Sequence, residues 1–131
     1  MVIVDSDVWS EAFRKRGEES GSVQCLRSLI NEGEIIMIGP IRQEVLSGIK
    51  ESQRFERIKE ALRAFPSQKI EEPVFETAAS FFNLCRSKGI QGSHTDFLIA
   101  ACAVEWGASI LTKDRDFIGY CKYLPIELHK A

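Results

Sequence analysis

The alternation of apolar and polar positions divides the chain into short β-type runs and longer stretches of helical period. Val2-Ile3-Val4 is an uninterrupted β-branched run that ends on Asp5, the pattern of a strand buried on both faces. Val8, Trp9, Ala12 and Phe13 then recur at helical spacing. Arg14-Lys15-Arg16 and Gly17 supply a basic last turn and a stop, which predicts a helix over residues 7–16. Val23, Leu26, Leu29 and Ile30 mark a second helix, stopped at Asn31-Glu32-Gly33. Residues 34–38 are largely apolar and bounded by glycines, so a second buried strand is expected there. Pro40 suits the first turn of a third helix over residues 41–50, with Glu44 in or near its first turn.

The stripe Phe55, Ile58, Leu62 and Phe65 predicts a fourth helix over residues 52–65, closed by Pro66. Residues 68–71 are a candidate short strand. Pro73 opens a long helix carrying Val74, Ala78, Phe81, Phe82, Leu84 and Cys85. Residues 97–104 are apolar all round, which a helix shows when it is buried on every side. A strand over residues 109–112, a turn over 113–117 and an edge strand over 124–128, where Pro125 is tolerated, complete the chain. Strands alternating with helices predict an α/β fold, an α/β/α sandwich with a mostly parallel central sheet. No repeat, low-complexity tract or linker divides residues 1–131, so one domain is expected.

The 131 residues are 44% apolar, as in an ordinary globular protein. No apolar run approaches the roughly 20 residues that span a bilayer, and Met1 leads straight into a strand; a cytoplasmic protein is expected. Cys25, Cys85, Cys102 and Cys121 are far apart and form no Cys-x-x-Cys, so they are read as reduced thiols, with Cys25 and Cys102 packed inside helices. The net charge of −2 lacks the basic excess usual in nucleic-acid binders. A bound metal among acidic groups would reverse that sign locally.

Four acids share a position as well as a charge. Asp5, Glu44, Asp96 and Asp114 each follow a predicted strand or loop or open a predicted helix, and in a parallel sheet all strand C-termini point to one edge. Converging carboxylates repel, by about 4 kcal/mol per pair at ~4 Å and an effective dielectric near 20. A hard divalent cation, Mg²⁺ or Mn²⁺, removes that penalty and can activate a water against a phosphodiester. Each acid taken singly has a plainer explanation, because carboxylates in a first helical turn are favoured by the dipole and by capping. Ser93-x-x-Asp96 has the form of a capping box. The case rests on the four together.

Val2-Ile3-Val4-Asp5-Ser6, Glu44 after Gly39-Pro40, Thr95-Asp96-Phe97-Leu98-Ile99-Ala100-Ala101 and Leu111-Thr112-Lys113-Asp114-Arg115-Asp116-Phe117 together resemble the signature of PIN-domain ribonucleases. In size and motif layout the chain looks most like the VapC toxins of prokaryotic toxin–antitoxin pairs, and the resemblance covers essentially its whole length. It implies a Mg²⁺- or Mn²⁺-dependent endoribonuclease, a homodimer, and a small antitoxin that occludes the site. By motif, the resemblance makes Asp5, Glu44, Asp96 and Asp114 the catalytic and metal-binding quartet. Ser6 and Thr112 are the supporting hydroxyls. Asp7 is a second acid in the first motif, open as ligand, outer-shell group or helix cap. Asp116 competes with Asp114 for the fourth place, and Asp114, nearer the strand end, is preferred.

The basic residues divide similarly. Lys113 and Arg115 flank a candidate acid where a scissile phosphate needs a cation, whereas Arg14-Lys15-Arg16 reads first as a helix end and second as a phosphate contact. Trp9 and Phe13 are expected in the core or facing a partner, beside a groove fit for an antitoxin helix. His94 is expected to be structural or exposed, and His129 carries no functional signal. Two other readings compete. Asp5-x-Asp7 also suits a haloacid dehalogenase-like phosphatase with Asp5 as nucleophile, although no distant lysine can be placed for it. The other is a PIN-like module that binds RNA or protein without cleaving.

Overall fold

The structure is a computed structural model that describes residues 1–14 and 17–131. At its centre lies β1 (Val2–Val4), every residue of which is buried. It is paired in parallel with β2 (Ile35–Ile36) on one side and β3 (Ser109–Leu111) on the other. Val2 and Ile3 face Ile35 and Ile36, and Val2, Ile3 and Val4 face Ser109, Ile110 and Leu111. A strand paired on both edges and covered on both faces has no exposed side, which explains its uninterrupted β-branched sequence.

Helices flank this sheet. α1 (Ser6–Arg14) packs against α2 (Gly21–Glu32) and α3 (Gly39–Leu46), and α3 packs against α4 (Ser52–Leu62). α5 (Glu72–Ser87) lies along α6 (His94–Trp106), which packs against β1 and β3; α7 (Asp116–Tyr120) follows β3. Phe97 through Ala103 are all buried, as an all-apolar helix requires. The ends of α6 follow the local chemistry, with Ser93 Oγ accepting from Asp96 N at 3.1 Å and Gly107 in the left-handed region at φ 61°. The α/β class and the parallel sheet agree with the sequence.

Several boundaries move. The second strand keeps only two of the five residues expected, because the chain turns into α3 at Gly39, two residues before the predicted start. Glu44 consequently sits in the second turn of α3. The expected strand over residues 68–71 is absent: Gln68, Lys69 and Glu71 are exposed and offer no apolar face, and only Ser67 makes a single parallel bridge, to Met37. The expected edge strand over 124–128 reduces likewise to a bridge between Ile110 and Leu128. α4 ends at Leu62, three residues early, and the turn expected over 113–117 resolves into a loop and α7. Helix α1 is described to Arg14; Lys15 and Arg16 of the expected last turn lie outside the described residues. All four cysteines are free, Cys85 and Cys102 buried and Cys25 half-buried. Among the described residues no helix is long and apolar enough to cross a membrane.

Candidate active site

The site begins where β1 stops. Asp5 N donates to Leu111 O at 2.8 Å, one ladder step beyond the strand, and Asp5 O accepts from Val8 N and Trp9 N, which starts α1. The backbone of Asp5 is thus held by sheet and helix at once, and its side chain is 6% exposed, the one buried charged side chain among the described residues. Both carboxylate oxygens are engaged: Oδ1 accepts from Ser6 N at 2.8 Å and Oδ2 from Thr112 Oγ1 at 2.7 Å.

Thr112 links this acid to the next. While its hydroxyl donates to Asp5, its oxygen accepts from Asp114 N at 3.0 Å, and Asp114 Oδ1 in turn accepts from Asp116 N at 2.9 Å. That last bond is an Asx-type turn, and it brings the i and i+2 carboxylates together. On the other side Ser6 Oγ donates to Glu44 Oε1 at 3.0 Å. One hydrogen-bonded chain therefore runs from Glu44 through Ser6, Asp5, Thr112 and Asp114 to Asp116.

Asp96 enters from the first turn of α6. It sits three residues after the capping Ser93, but its carboxylate does not complete a capping box; Oδ2 accepts instead from the hydroxyl of Tyr120 at 2.6 Å. Asp96, Asp114 and Asp116 each offer a carboxylate oxygen, and the three oxygens lie within 4.8 Å of one another. Asp5 and Glu44 fall outside that tight trio. Asp7 does as well: its Oδ2 accepts from Lys113 N at 3.0 Å and its Oδ1 is buried without a partner.

The electrostatics match a site built to receive positive charge. Burial, opposed by the Thr112 hydrogen bond and reinforced by the charges of Asp7 and Asp96, raises the Asp5 carboxyl to about 6. Burial also raises Asp96, against hydrogen bonds from Tyr120 and Ser93, and raises Asp7, against the Lys113 amide. The Tyr120 phenol is driven well above its ordinary value by burial and by Asp96, so it stays protonated and donates. The all-carboxylate trio, with Asp96 in the first turn of α6, Asp114 in the loop after β3 and Asp116 at the start of α7, is a donor set of the kind that suits a hard divalent cation.

The remaining candidates are distributed as follows. Lys113 Nζ pairs with Glu11 at 2.6 Å, so this lysine is engaged away from the trio, whereas exposed Arg115 makes no ion pair among the described residues. His94 is exposed and stacks on Phe82 at 4.9 Å. His129, which carried no signal, shares a 3.3 Å contact with Ser109 Oγ. Trp9 is 2% exposed and, with Ala12, Phe13, Leu26, Ile58 and Phe65, lines an apolar groove of about 450 Å³ rimmed by Arg27, Arg54 and Arg57. Sequence reasoning missed Tyr120. The signal available was a tyrosine three residues after Phe117, on the same face of a short helix, where a buried hydroxyl needs a partner.

A small parallel sheet with acids at its carboxyl edge defines a class of site, and comparison identifies the family. The profile of the PIN domain matches residues 2–123, and the chain belongs to the PIN domain family. It is 32% identical over 120 residues to the VapC ribonuclease Mb1587 of Mycobacterium bovis and to ribonuclease VapC11 of Mycobacterium tuberculosis, covering 89% of this chain and 89% of each relative. Its fold is shared by VapBC2 from Rickettsia felis bound to a promoter DNA fragment (TM-score 0.76, 16% identity, 98% of both chains). FitAcB from Neisseria gonorrhoeae is similar as well (TM-score 0.74, 20% identity, 99% of this chain and 97% of that one). So is a toxin–antitoxin complex from Klebsiella pneumoniae (TM-score 0.67, 19% identity, 91% and 92%).

Proposed function

We propose that this chain is a divalent-metal-dependent endoribonuclease and the toxin of a toxin–antitoxin pair. The observation that carries the reading is the convergence of Asp96, Asp114 and Asp116 beside buried Asp5, an arrangement that is electrostatically unfavourable until a cation occupies it. Asp5, Glu44, Asp96 and Asp114 are the ligand and catalytic set, and Asp116 is a fifth acid within reach of the same ion. Held by these residues, Mg²⁺ or Mn²⁺ would supply charge stabilisation and the activation of a water nucleophile.

The other tasks fall to the chain itself. Thr112 holds Asp5 and the Asp114 backbone in one register, and Ser6 turns Glu44 towards Asp5, where Glu44 orients the attacking water. Asp7 ties the loop after β3 to α1 through the Lys113 amide. Arg115 is the cation best placed to meet a phosphate; Lys113, already bound to Glu11, is not. This geometry and membership of the PIN family displace the phosphatase reading, since Asp7 is engaged at one oxygen and buried at the other and cannot serve as a mobile acid.

Two apolar surfaces support the partner readings. The groove between α1, α2 and α4 fits an antitoxin segment with an apolar face and acidic flanks for Arg54 and Arg57, whereas Arg27 on the same rim is already paired with Glu19; this draws support from toxin–antitoxin complexes that share the fold. The hollow along α5 and α6, lined by Phe75, Ala79, Phe82 and Leu98 with Phe75 51% exposed, is assigned to a second copy of the chain. Cytoplasmic RNA is the substrate.

The direct test is incubation with total RNA in Mg²⁺, Mn²⁺ or chelator. Cleavage is expected with either metal, none with chelator, and a loss of at least about 10²-fold in Asp96→Asn with the circular-dichroism spectrum unchanged. Cleavage persisting in chelator, or in a folded Asp96→Asn protein, would refute the metal mechanism. Metal binding with no cleavage of any RNA would favour the non-catalytic module instead.

A further inference from the structure

We propose that Tyr120 is a positioning residue for Asp96. Its hydroxyl, donating to Oδ2 at 2.6 Å, fixes how that carboxylate meets Asp114 and Asp116, and the missing side chain at Gly92 leaves room for it. This rests on the reading of the acidic trio as a metal site.

The ring that carries the hydroxyl is held on two sides. The Tyr120 ring is fully buried, packed on Phe97 at 4.9 Å between centroids and on Phe117 at 5.0 Å. Phe97 is the neighbour of Asp96 on α6, so one packing contact joins the backbone of the acid to the ring of its donor. Tyr120 closes α7, whose first residue is Asp116; the short helix therefore places one acid of the trio at its start and the donor to another at its end. A carboxylate whose second oxygen is fixed by a rigid, protonated phenol loses rotational freedom before any cation arrives. Outer partners of this kind commonly change metal affinity by about 10–100-fold.

Gly92 supplies an independent observation. A Cβ there would collide with the Tyr120 hydroxyl oxygen and come within 2.8 Å of Tyr120 Cζ and 2.9 Å of Phe97 Cε2. Its φ is not positive, so the backbone itself does not demand glycine. The demand comes from the space the hydroxyl occupies.

Calorimetric titration of the full chain with Mn²⁺ tests this without reference to cleavage. Tyr120→Phe keeps the ring and removes only the donor; it should weaken Mn²⁺ binding about 10-fold while its melting temperature in chelator stays within a few degrees of the parent. Gly92→Ala, which displaces the hydroxyl from the other side, should weaken binding to a similar extent. Asp96→Asn should abolish the heat. If the parent and Asp96→Asn behave as stated but both Tyr120→Phe and Gly92→Ala bind Mn²⁺ within twofold of the parent, the positioning role is wrong and the metal site stands. If the parent itself binds no Mn²⁺, the metal-site reading fails and the role of Tyr120 fails with it.

Discussion

The acidic site and the apolar groove lie at opposite ends of one short helix and are unfinished in opposite ways. α1 places Ser6 and Asp7 at its start, against Asp5 and the loop after β3, and turns Trp9, Ala12 and Phe13 towards the groove. At the first end, charge is buried without a counter-charge; at the second, apolar surface is left wet. Each is a local destabilisation that a ligand of the complementary kind removes, a cation in one case and an apolar segment in the other. Because α1 also contacts α2 and α3, the helix is held by packing that neither ligand supplies. The two ends should therefore be separable by mutation.

The largest separation is expected at the groove. Phe13 is half-buried, stacks on Trp9 at 6.4 Å and faces the cavity. Phe13→Asp puts a charge into the surface proposed for the antitoxin and should weaken that complex by about 3 kcal/mol, more than 100-fold. RNA cleavage by the free protein should stay within about twofold. Calorimetry with the product of the adjacent reading frame, run beside a cleavage assay, checks both halves. An equal loss of cleavage would mean that the ends of α1 are coupled.

Next is the acid end, where a variant should gain stability while losing function. In metal-free protein the Asp5 carboxyl is raised to about 6 from 3.8, so the folded state holds the proton more tightly than the unfolded one. The contribution of this group is full below about pH 4 and is lost as pH rises through about 6. A shift of about 2 units corresponds to about 3 kcal/mol at neutral pH. Asp5→Asn recovers that but gives up one of the two hydrogen bonds accepted by the carboxylate, worth about 1 kcal/mol. The net expectation is a protein about 2 kcal/mol more stable in chelator at pH 7, with a flatter pH dependence between 4 and 7. Urea denaturation at pH 5 and pH 7 measures it; a less stable Asp5→Asn protein at pH 7 would contradict the uncompensated charge.

These contrasts also explain what could be read from the sequence. β1 and α6 were legible because total burial removes every polar residue from Val2–Val4 and Phe97–Ala103, and the acids at their ends stood out against that background. Residues 68–71 misled because a short mixed run carries no burial information, and their neighbourhood is exposed. The groove was legible in Trp9 and Phe13, although Arg54 and Arg57 on its rim come from a helix whose placement depends on tertiary packing. The clustering of Asp116 with Asp114 depends on an Asx turn, so spacing alone posed the two as rivals when the fold gathers both. Tyr120 lay out of reach because its meaning resides in an acceptor 24 residues away.

The smallest effect is expected where the hydrogen-bonded chain reaches solvent. Thr112 and Ser6 each donate a hydroxyl to an acid, at 2.7 Å and 3.0 Å, but the first acts on buried Asp5 and the second on exposed Glu44. Water can replace the Ser6 bond, so Ser6→Ala should change stability by less than about 0.5 kcal/mol. Cleavage should nonetheless slow by about 3–10-fold, through kcat and not KM, because Glu44 is then free to turn away from Asp5 without weakening the grip on RNA. Steady-state cleavage of a short RNA separates the two constants. A change confined to KM would place Ser6 on the substrate instead of on Glu44, and the chain of hydrogen bonds from Asp116 would then end at Asp5.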